Sequence, residues 1–164
     1  MKSLKHIAIM LVALATVSSC DYFMSLDLEN QYREGIYIWS QKIGLNTGED
    51  QSIDELNKKG QLHYIAPGEM GYFTGVMTGS PIKAELVVDR VFRDCDTLMI
   101  VIFDAKRVDD NWGVGKMSDF VIQKYWLRKE DVVEEDGKTY KKISFPPNEG
   151  MKDVKMEPTY GTYN

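Results

Sequence analysis

The sequence predicts an α+β fold, with a single compact domain that contains a four- to five-stranded mixed or antiparallel sheet and about two helices. Three observations favour this class. Residues 97–103 read TLMIVIF, a continuous apolar run typical of a strand buried on both faces. Shorter aromatic and β-branched runs end at turn signals, and other segments place apolar residues at helical spacing. No internal repeat or change of composition indicates a second domain.

The first half of the chain predicts two strands and one helical turn. Residues 35–39 form an aromatic and β-branched run, which predicts the first strand. Residues 61–66 alternate well enough for a second strand, and the Pro-Gly pair at 67–68 should end it as a turn. Residues 52–56 could make one capped helical turn. The glycines of residues 68–79 complete no nucleotide-binding pattern, and we interpret them as flexible turns.

The second half predicts two helices around a central strand, which is the run at 97–103. Residues 81–92 carry apolar side chains at helical spacing, although their β-branched residues favour a strand almost as well. Residues 112–123 follow an Asp-Asp-Asn sequence and again show helical spacing. The apolar side chains are Leu86, Val87, Phe92 and, less clearly, Val91 in the first segment, and Trp112, Met117, Phe120 and Val121 in the second.

A hairpin is predicted near the C-terminus. Residues 125–127 read as the entrance to a strand. Residues 135–138, with the sequence EDGK, predict a type I′ turn because Asp-Gly tolerates positive φ angles. Residues 139–145 should form the return strand, which the two prolines at 146–147 end.

The N-terminus has the pattern of a bacterial lipoprotein signal. Lys2 and Lys5 precede an apolar run at 7–17, and two serines then precede Cys20. In such signals the acylated cysteine becomes the first residue of the mature protein. The apolar run is well short of the roughly 20 residues that a membrane-spanning helix needs. An ordinary secretory signal and a buried core helix fit the pattern less well. Two or three acyl chains on Cys20 would make the anchor effectively permanent.

These features divide the chain into three parts. We expect a signal peptide at 1–19, the lipidated cysteine with a polar tether at 20–34, and one globular domain at 35–164. The tether is inferred from the scattered acidic residues that follow the cysteine. Without the signal, the chain keeps 145 of its 164 residues, a length that suits one domain with a substantial core.

The composition excludes several classes of partner and site. The mature chain has 18 basic and 25 acidic side chains, a net charge of −7, which argues against nucleic-acid binding. The same charge disfavours docking on anionic headgroups, so membrane attachment would depend on the lipid. Cys95 is the one cysteine left after acylation of Cys20, so the mature chain has neither an internal disulfide nor a cysteine-type zinc site. No cofactor and no metal are predicted.

Two stretches of the second half carry a recognisable pattern. The first runs from DTL at 96–98 to FDA at 103–105, and continues with Trp112 and with KYWLRKED at 124–131. The second is the tail, FPPNEGMK at 145–152 followed by KMEPTY at 155–160. Over residues 95–160 this pattern resembles a group of small lipoproteins of Bacteroidetes. The resemblance implies an envelope lipoprotein of a Gram-negative anaerobe, and it carries over no catalytic residue.

The mature chain has one free thiol, Cys95, and one histidine, His63, which could in principle act as a nucleophile and its base. Asp94 and Asp96 flank Cys95, and nearby negative charge raises the pKa of a thiol, where a nucleophile needs a lowered pKa. A packing role is therefore expected for Cys95. His63 has no second histidine for a metal site, and we expect it on the surface or at a strand edge.

Four carboxylates surround the loop that follows the central strand: Asp104, Asp109, Asp110 and Asp119. They lack the alternation of a helix-loop-helix calcium site, so helix capping by Asp110 or Asn111 is the expected role. A glycosidase pair leaves no sequence signature, which keeps a hydrolase among the hypotheses.

Three functions follow, in order of support. The first is a non-enzymatic, lipid-anchored accessory or interaction module on the outer membrane, facing the periplasm or the cell surface, with an envelope protein as partner. The second is a glycan-binding lipoprotein, in which an exposed Trp112 acts with Asp109 and Asp110. The third is a small carboxylate-dependent hydrolase. Trp126, beside Leu127, is expected in the core.

Overall fold

The structure, a computed structural model, describes residues 21–44, 62–112, 114 and 116–162. These residues form eight strands and three α-helices, which confirms the predicted α+β class. The predicted signal at 1–19, Cys20 and the helical turn at 52–56 lie outside the described residues. The strands are β1 (Tyr22–Asn30), β2 (Ile36–Ile43), β3 (His63–Ile65), β4 (Met70–Thr78), β5 (Thr97–Asp104), β6 (Val121–Leu127), β7 (Ile143–Phe145) and β8 (Lys155–Glu157). The helices are α1 (Ala84–Val91), α2 (Ala105–Asp110) and α3 (Lys129–Val132).

The strands form two sheets, whereas one was predicted. The five-stranded sheet has the order β3-β2-β5-β6-β8 and is antiparallel throughout. The three-stranded sheet has the order β4-β1-β7, with β1 antiparallel to β4 and parallel to β7. The strands predicted at 35–39 and 61–66 are confirmed as β2 and β3.

The central strand predicted at 97–103 is confirmed as β5, the middle strand of the five-stranded sheet. Its residues Leu98–Phe103 are all buried, because both faces of this sheet are covered. Leu98, Ile100 and Ile102 join a main apolar cluster on one face, while Met99, Val101 and Phe103 join a second cluster on the other face.

The predicted tether at 20–34 is wrong over most of its length, because Tyr22–Asn30 form β1 in the middle of the three-stranded sheet. Leu26, Leu28 and Asn30 alternate with more polar residues and are buried. The buried Asn30 amide donates hydrogen bonds to the carbonyl oxygens of Glu34 (2.9 Å) and Ile65 (3.1 Å). The folded structure therefore begins within two residues of Cys20.

The flexible turns predicted across residues 68–79 are also wrong, since most of this segment is β4. Gly75 is needed there because a Cβ atom would lie 2.7 Å from both the Met24 carbonyl oxygen and the Phe23 ring. The turn at 67–68 is confirmed, with Gly68 at a φ of 78°. Glycine at this position avoids the strain of a positive φ.

Residues 81–92 form a helix, α1, as the first of the two alternatives predicted. Its buried face consists of Ala84, Val87, Val88 and Val91, and Leu86 is 48% exposed. The helix has an acidic residue in its first turn and a basic residue in its last, which suits the helix dipole.

The helix predicted at 112–123 is wrong. A short helix, α2, directly follows β5, and Asp104 caps it by accepting a hydrogen bond from the Arg107 backbone N–H (3.0 Å). Residues 117–120 then make one 3₁₀ turn and β6 begins at Val121. Met117 and Phe120 are buried together, because an i, i+3 spacing satisfies a 3₁₀ turn as well as an α-helix.

The hairpin predicted near the C-terminus is confirmed at its turn, which one antiparallel bridge between Val133 and Tyr140 closes. The Gly137 N–H donates to the Glu134 carbonyl (3.0 Å), and Gly137 has a φ of 64°. No other residue in the described segments except Gly68 and Gly161 has a positive φ, so the turn is not type I′. The return strand is restricted to β7, which pairs with β1 instead of with β6.

Two apolar clusters hold these elements together. The main cluster joins both sheets and α1, while α2 and the turn at 117–120 cover the other face of the five-stranded sheet. Trp39 is the tryptophan buried there, at 4% exposure. Trp126 was expected in the core but is only half-buried, and the Lys155 ammonium lies 4.9 Å from its ring centroid. None of the helices in the described segments is long and apolar enough to cross a membrane.

Candidate functional site

The residues predicted for glycan binding lie at the C-terminal end of α2, with Asp109 and Asp110 in its last turn, and just after it, with Trp112. Trp112 is 56% exposed, as that hypothesis requires. Asp109 accepts a hydrogen bond from the Tyr37 hydroxyl (3.0 Å), and burial followed by this carboxylate raises the pKa of Tyr37. Asp110 pairs with Lys106. Both carboxylates therefore have structural partners, and the role of Trp112 stays a prediction.

The four carboxylates around this loop do not converge on one site. Asp104 caps α2, and the carbonyl oxygen of Asp119 accepts a hydrogen bond from the Arg107 guanidinium (3.0 Å). Asn111, one of the two predicted capping residues, ends α2, with its amide donating to the Arg107 carbonyl (2.9 Å). Across the described part of the chain, no group of three or more histidine, cysteine, aspartate or glutamate residues is arranged to hold a metal ion.

The thiol and the histidine have different surroundings. Cys95 is buried, and its Sγ atom contacts the Val91 carbonyl oxygen at 3.7 Å. Burial is the main cause that raises the pKa of Cys95, and Asp96 and Asp94 raise it further against the opposing effect of Lys42. This agrees with the packing role expected from the sequence. His63 is exposed on the edge strand β3, with its ring 4.7 Å from that of Tyr72.

A cavity of about 360 Å³ lies beside β1. It is bounded by β1 and β4 on one side and by the segment that connects α3 to β7 on the other. Most of its lining surface is apolar and forms the floor of the cavity. Polar groups lie around this apolar floor. The apolar lining residues are Leu26, Met70, Phe73, Val132 and Ile143, and the polar ones are Ser25, Asp27, Glu29, Tyr140, Lys141 and Lys142. An apolar floor with a few polar groups is the usual character of a ligand site.

The cavity flanks an open strand edge. On the side of β1 away from β4, β7 pairs only with Leu28–Asn30, so residues 22–27 have no strand partner there in the described structure. Asn30 directs its backbone groups towards the β4 side, whereas the Gln31 N–H donates to the Phe145 carbonyl (2.7 Å). Alternation along the strand therefore directs the backbone N–H of Ser25 to the open edge. A free edge next to an apolar cavity is the arrangement that accepts an added strand.

Tyr140 lines this cavity, and its buried hydroxyl group has no partner in the described structure. Its oxygen is inaccessible to solvent and makes no hydrogen bond in the described structure. Burial is the main cause that raises the pKa of Tyr140, and the charge of Asp27 adds to it. A buried polar group without a partner costs about 1–3 kcal/mol, so the hydroxyl of Tyr140 is an unfavourable feature of this part of the fold.

An ion pair lies at the same cavity. Lys142 pairs with Glu29, which also accepts a hydrogen bond from the Gln31 side chain (2.9 Å). The hydrogen bond from Lys142 is the main cause that lowers the pKa of Glu29. Asp27 lies two residues away on the same strand. A general acid needs a raised pKa, so Glu29 is poorly suited to hydrolysis and well suited to polar recognition.

The sequence contained a signal for this site that was not used. Residues 25–30 read SLDLEN, with strict alternation of polar and apolar residues over Ser25–Glu29, which is typical of a half-buried strand. Their position after the cysteine led to the tether interpretation instead. No comparable signal marks Tyr140, because its burial depends on a contact between distant parts of the chain.

Comparison of the chain with protein-family models, with curated proteins and with solved structures gives no match. The fold and the cavity are therefore interpreted from their own geometry.

Proposed function

We propose that this chain is a lipid-anchored protein of the bacterial cell envelope that binds an extended peptide segment of another envelope protein in the cavity beside β1, without catalysing a reaction. The cavity carries the binding part of this proposal, because it combines an apolar floor with an open strand edge. The serine pair before Cys20 carries the anchoring part.

The anchor is tested in cells. Full-length wild type and Cys20→Ala are expressed in a Gram-negative host, fractionated, and compared by mass spectrometry of the N-terminal peptide. We expect an acylated Cys20 in the membrane fraction for the wild type and loss from that fraction for the variant. An unchanged distribution of Cys20→Ala would contradict the anchor. Protease treatment of intact cells then separates the two orientations, since a surface protein is cleaved and a periplasmic one is protected.

Peptide binding follows from the chemistry of the cavity. A strand added along residues 22–27 would form backbone hydrogen bonds with the free edge of β1. One apolar side chain of the peptide would fill the space over Leu26 and Phe73. The acidic and basic groups of Glu29 and Lys142 would select the polar residues on either side.

This site is tested with peptides selected from a random phage-displayed library on the immobilised wild-type protein. Ser25→Pro removes an N–H at the open edge and leaves the β4 side intact, while Met70→Trp, at an exposed lining residue, fills part of the cavity. We expect both variants to weaken the selected peptides by about tenfold or more, which corresponds to about 1.4 kcal/mol. Ser25→Ala is the matched control and should bind as the wild type does. Equal binding by Ser25→Pro and Ser25→Ala would exclude strand addition.

The exposed Trp112 supports glycan binding as a second candidate. A solvent-facing indole ring can stack on a sugar, and Asp109 lies close to it in the chain. Binding to bacterial and host glycans is measured by a glycan array for the wild type and Trp112→Ala. A glycan that binds the wild type and is lost with Trp112→Ala would favour this function over the peptide site.

A further inference from the structure

The start of the fold lies very close to the acylation site. β1 begins at Tyr22, two residues after Cys20. An extended chain spans at most about 3.3–3.6 Å per residue, so the Phe23 backbone can lie no more than about 11 Å from that of Cys20. The acyl chains of Cys20 are buried in lipid if the proposed anchor holds. The first residues of β1 are then held in or just above the headgroup layer, which is about 5–8 Å thick.

This end of the three-stranded sheet exposes apolar side chains. Tyr22 is 44% exposed, Phe23 is 51% exposed, and Met77, the register partner of Phe23 on β4, is 59% exposed. The Phe23 ring extends over Gly75 and meets Tyr72 edge to face at 5.4 Å, and Tyr72 is itself 45% exposed. These four residues, Tyr22, Phe23, Tyr72 and Met77, form the anchor-side surface.

We propose that the anchor-side surface packs into the membrane interface, so that the domain lies directly on the membrane in a fixed orientation. This inference rests on the lipid anchor of the proposed function. Tyrosine is enriched at the headgroup level, where its ring is buried and its hydroxyl stays in contact with water. Burial of phenylalanine and methionine side chains in the same layer removes apolar surface from water.

The charge of the chain selects the kind of membrane. The net charge of −7 after removal of the signal opposes close approach to a strongly anionic surface. The four residues of the anchor-side surface are uncharged, and the exposed Asp21 next to them adds a negative charge at the same end of the sheet. The anchor-side surface therefore fits a zwitterionic membrane, such as one of phosphatidylethanolamine, and gains its affinity from apolar contact and from the attached lipid.

The test supplies the anchor chemically, so that its result does not depend on acylation in cells. The chain from Cys20 onward contains every helix and strand that the structure describes. Carrying Cys95→Ala, it is coupled through Cys20 to maleimide lipids in vesicles of phosphatidylethanolamine and phosphatidylcholine. A tryptophan is introduced by Met77→Trp or by Met70→Trp. Both methionines are exposed on the same strand, at opposite ends about 20 Å apart.

Quenching by lipids with brominated acyl chains measures the depth of the added tryptophan in the membrane. The fluorescence of the three native tryptophans is a background common to both variants. We expect quenching of about half of the added emission for Met77→Trp and about a tenth or less for Met70→Trp. Equal quenching at both positions, or none at position 77, would overturn the proposal.

A second measurement needs no added tryptophan. Hydrogen exchange of residues 79–83, which follow β4 next to Met77, should slow on coupling, while exchange at the turn of residues 66–69 should not change. Sedimentation of the uncoupled chain tests the other occupant of this surface. A dimer that Phe23→Ser dissociates would assign the surface to a second copy and would overturn membrane contact. If these vesicle results hold while Cys20 is unmodified in cells, the anchor fails and the surface property stands.

Discussion

Tyr125 and Tyr140 both have buried hydroxyl oxygens, but in the described structure the hydroxyl of Tyr125 makes a hydrogen bond and that of Tyr140 does not. Tyr125 is fully buried, and its hydroxyl donates to the Ser144 carbonyl oxygen at 2.9 Å. The Tyr140 hydroxyl is also inaccessible, but has no acceptor among the described residues. Removal of a hydroxyl that makes a hydrogen bond loses that bond, whereas removal of an unpaired one relieves an unfavourable burial.

The corresponding prediction compares Tyr140→Phe with Tyr125→Phe. We expect Tyr125→Phe to lower the free energy of unfolding by about 1–2 kcal/mol, and Tyr140→Phe to leave it unchanged or raise it by up to about 1 kcal/mol. Urea denaturation measures both. An equal loss for the two variants would mean that the Tyr140 hydroxyl has a hydrogen-bond partner in solution.

Local sequence predicted some residue roles and missed others. The packing role of Cys95 could be predicted because its direct neighbours in the sequence, Asp94 and Asp96, disfavour a reactive thiolate. Asp110 or Asn111 was expected to cap a helix that follows them, but the helix α2 lies before Asn111, with Asp104 at its N-terminal cap and Asn111 at its C-terminal cap. The role of Tyr140 depends on β1, more than a hundred residues earlier in the chain, and no local pattern carries that contact.

At the scale of elements, β1 determines the three-stranded sheet. It pairs with β4 on one side and with β7 on the other, and it contributes Leu26 and Leu28 to the main apolar cluster. A tether would contribute nothing to stability. The difference between a strand and a tether is therefore measurable as a change in the free energy of unfolding.

Leu28→Ala should lower the free energy of unfolding by about 2–5 kcal/mol, because it leaves a cavity in a fully packed core. Leu86→Ala, on the exposed side of α1, is the matched control and should change it by less than about 0.5 kcal/mol. Thermal or urea denaturation checks both. A change at Leu28 as small as that at Leu86 would restore the tether interpretation.

The sequence predicted an element correctly where its pattern of apolar residues is compatible with one type of secondary structure. The apolar run of β5 has the length of a strand and is bounded by Asp96 and Asp104, so it allowed little else. The spacing of Met117 and Phe120 fitted both an α-helix and a 3₁₀ turn, and the following β-branched residues continued as β6. The parallel pairing of β1 with β7 could not be predicted, since it joins segments far apart in the chain.

At the scale of the whole molecule, one apolar cluster joins both sheets. Residues from β1 and β4 in the three-stranded sheet pack with residues from β2, β5 and β6 in the other. The tryptophans Trp39 and Trp126 lie in the five-stranded sheet alone. Tryptophan fluorescence therefore reports mainly on that sheet, whereas far-ultraviolet circular dichroism reports on both.

We expect the two signals to change together in urea, with the same midpoint within error, because the shared core makes the sheets one cooperative unit. The measurement is equilibrium unfolding followed by both probes on one sample. A separate, earlier transition seen by circular dichroism alone would indicate that the three-stranded sheet unfolds independently. That outcome would also make the open edge of β1 a transient feature.

The position of β1 between β4 and β7 also sets the order in which the molecule can be completed. β1 is synthesised first, yet β7, its parallel partner, emerges from the ribosome roughly 110 residues later. At about 5–20 residues per second, this strand waits for roughly 6–20 s with one edge unmatched along its whole length. Contacts of such long sequence separation form slowly. The three-stranded sheet can therefore be completed only after nearly all of the chain has been made.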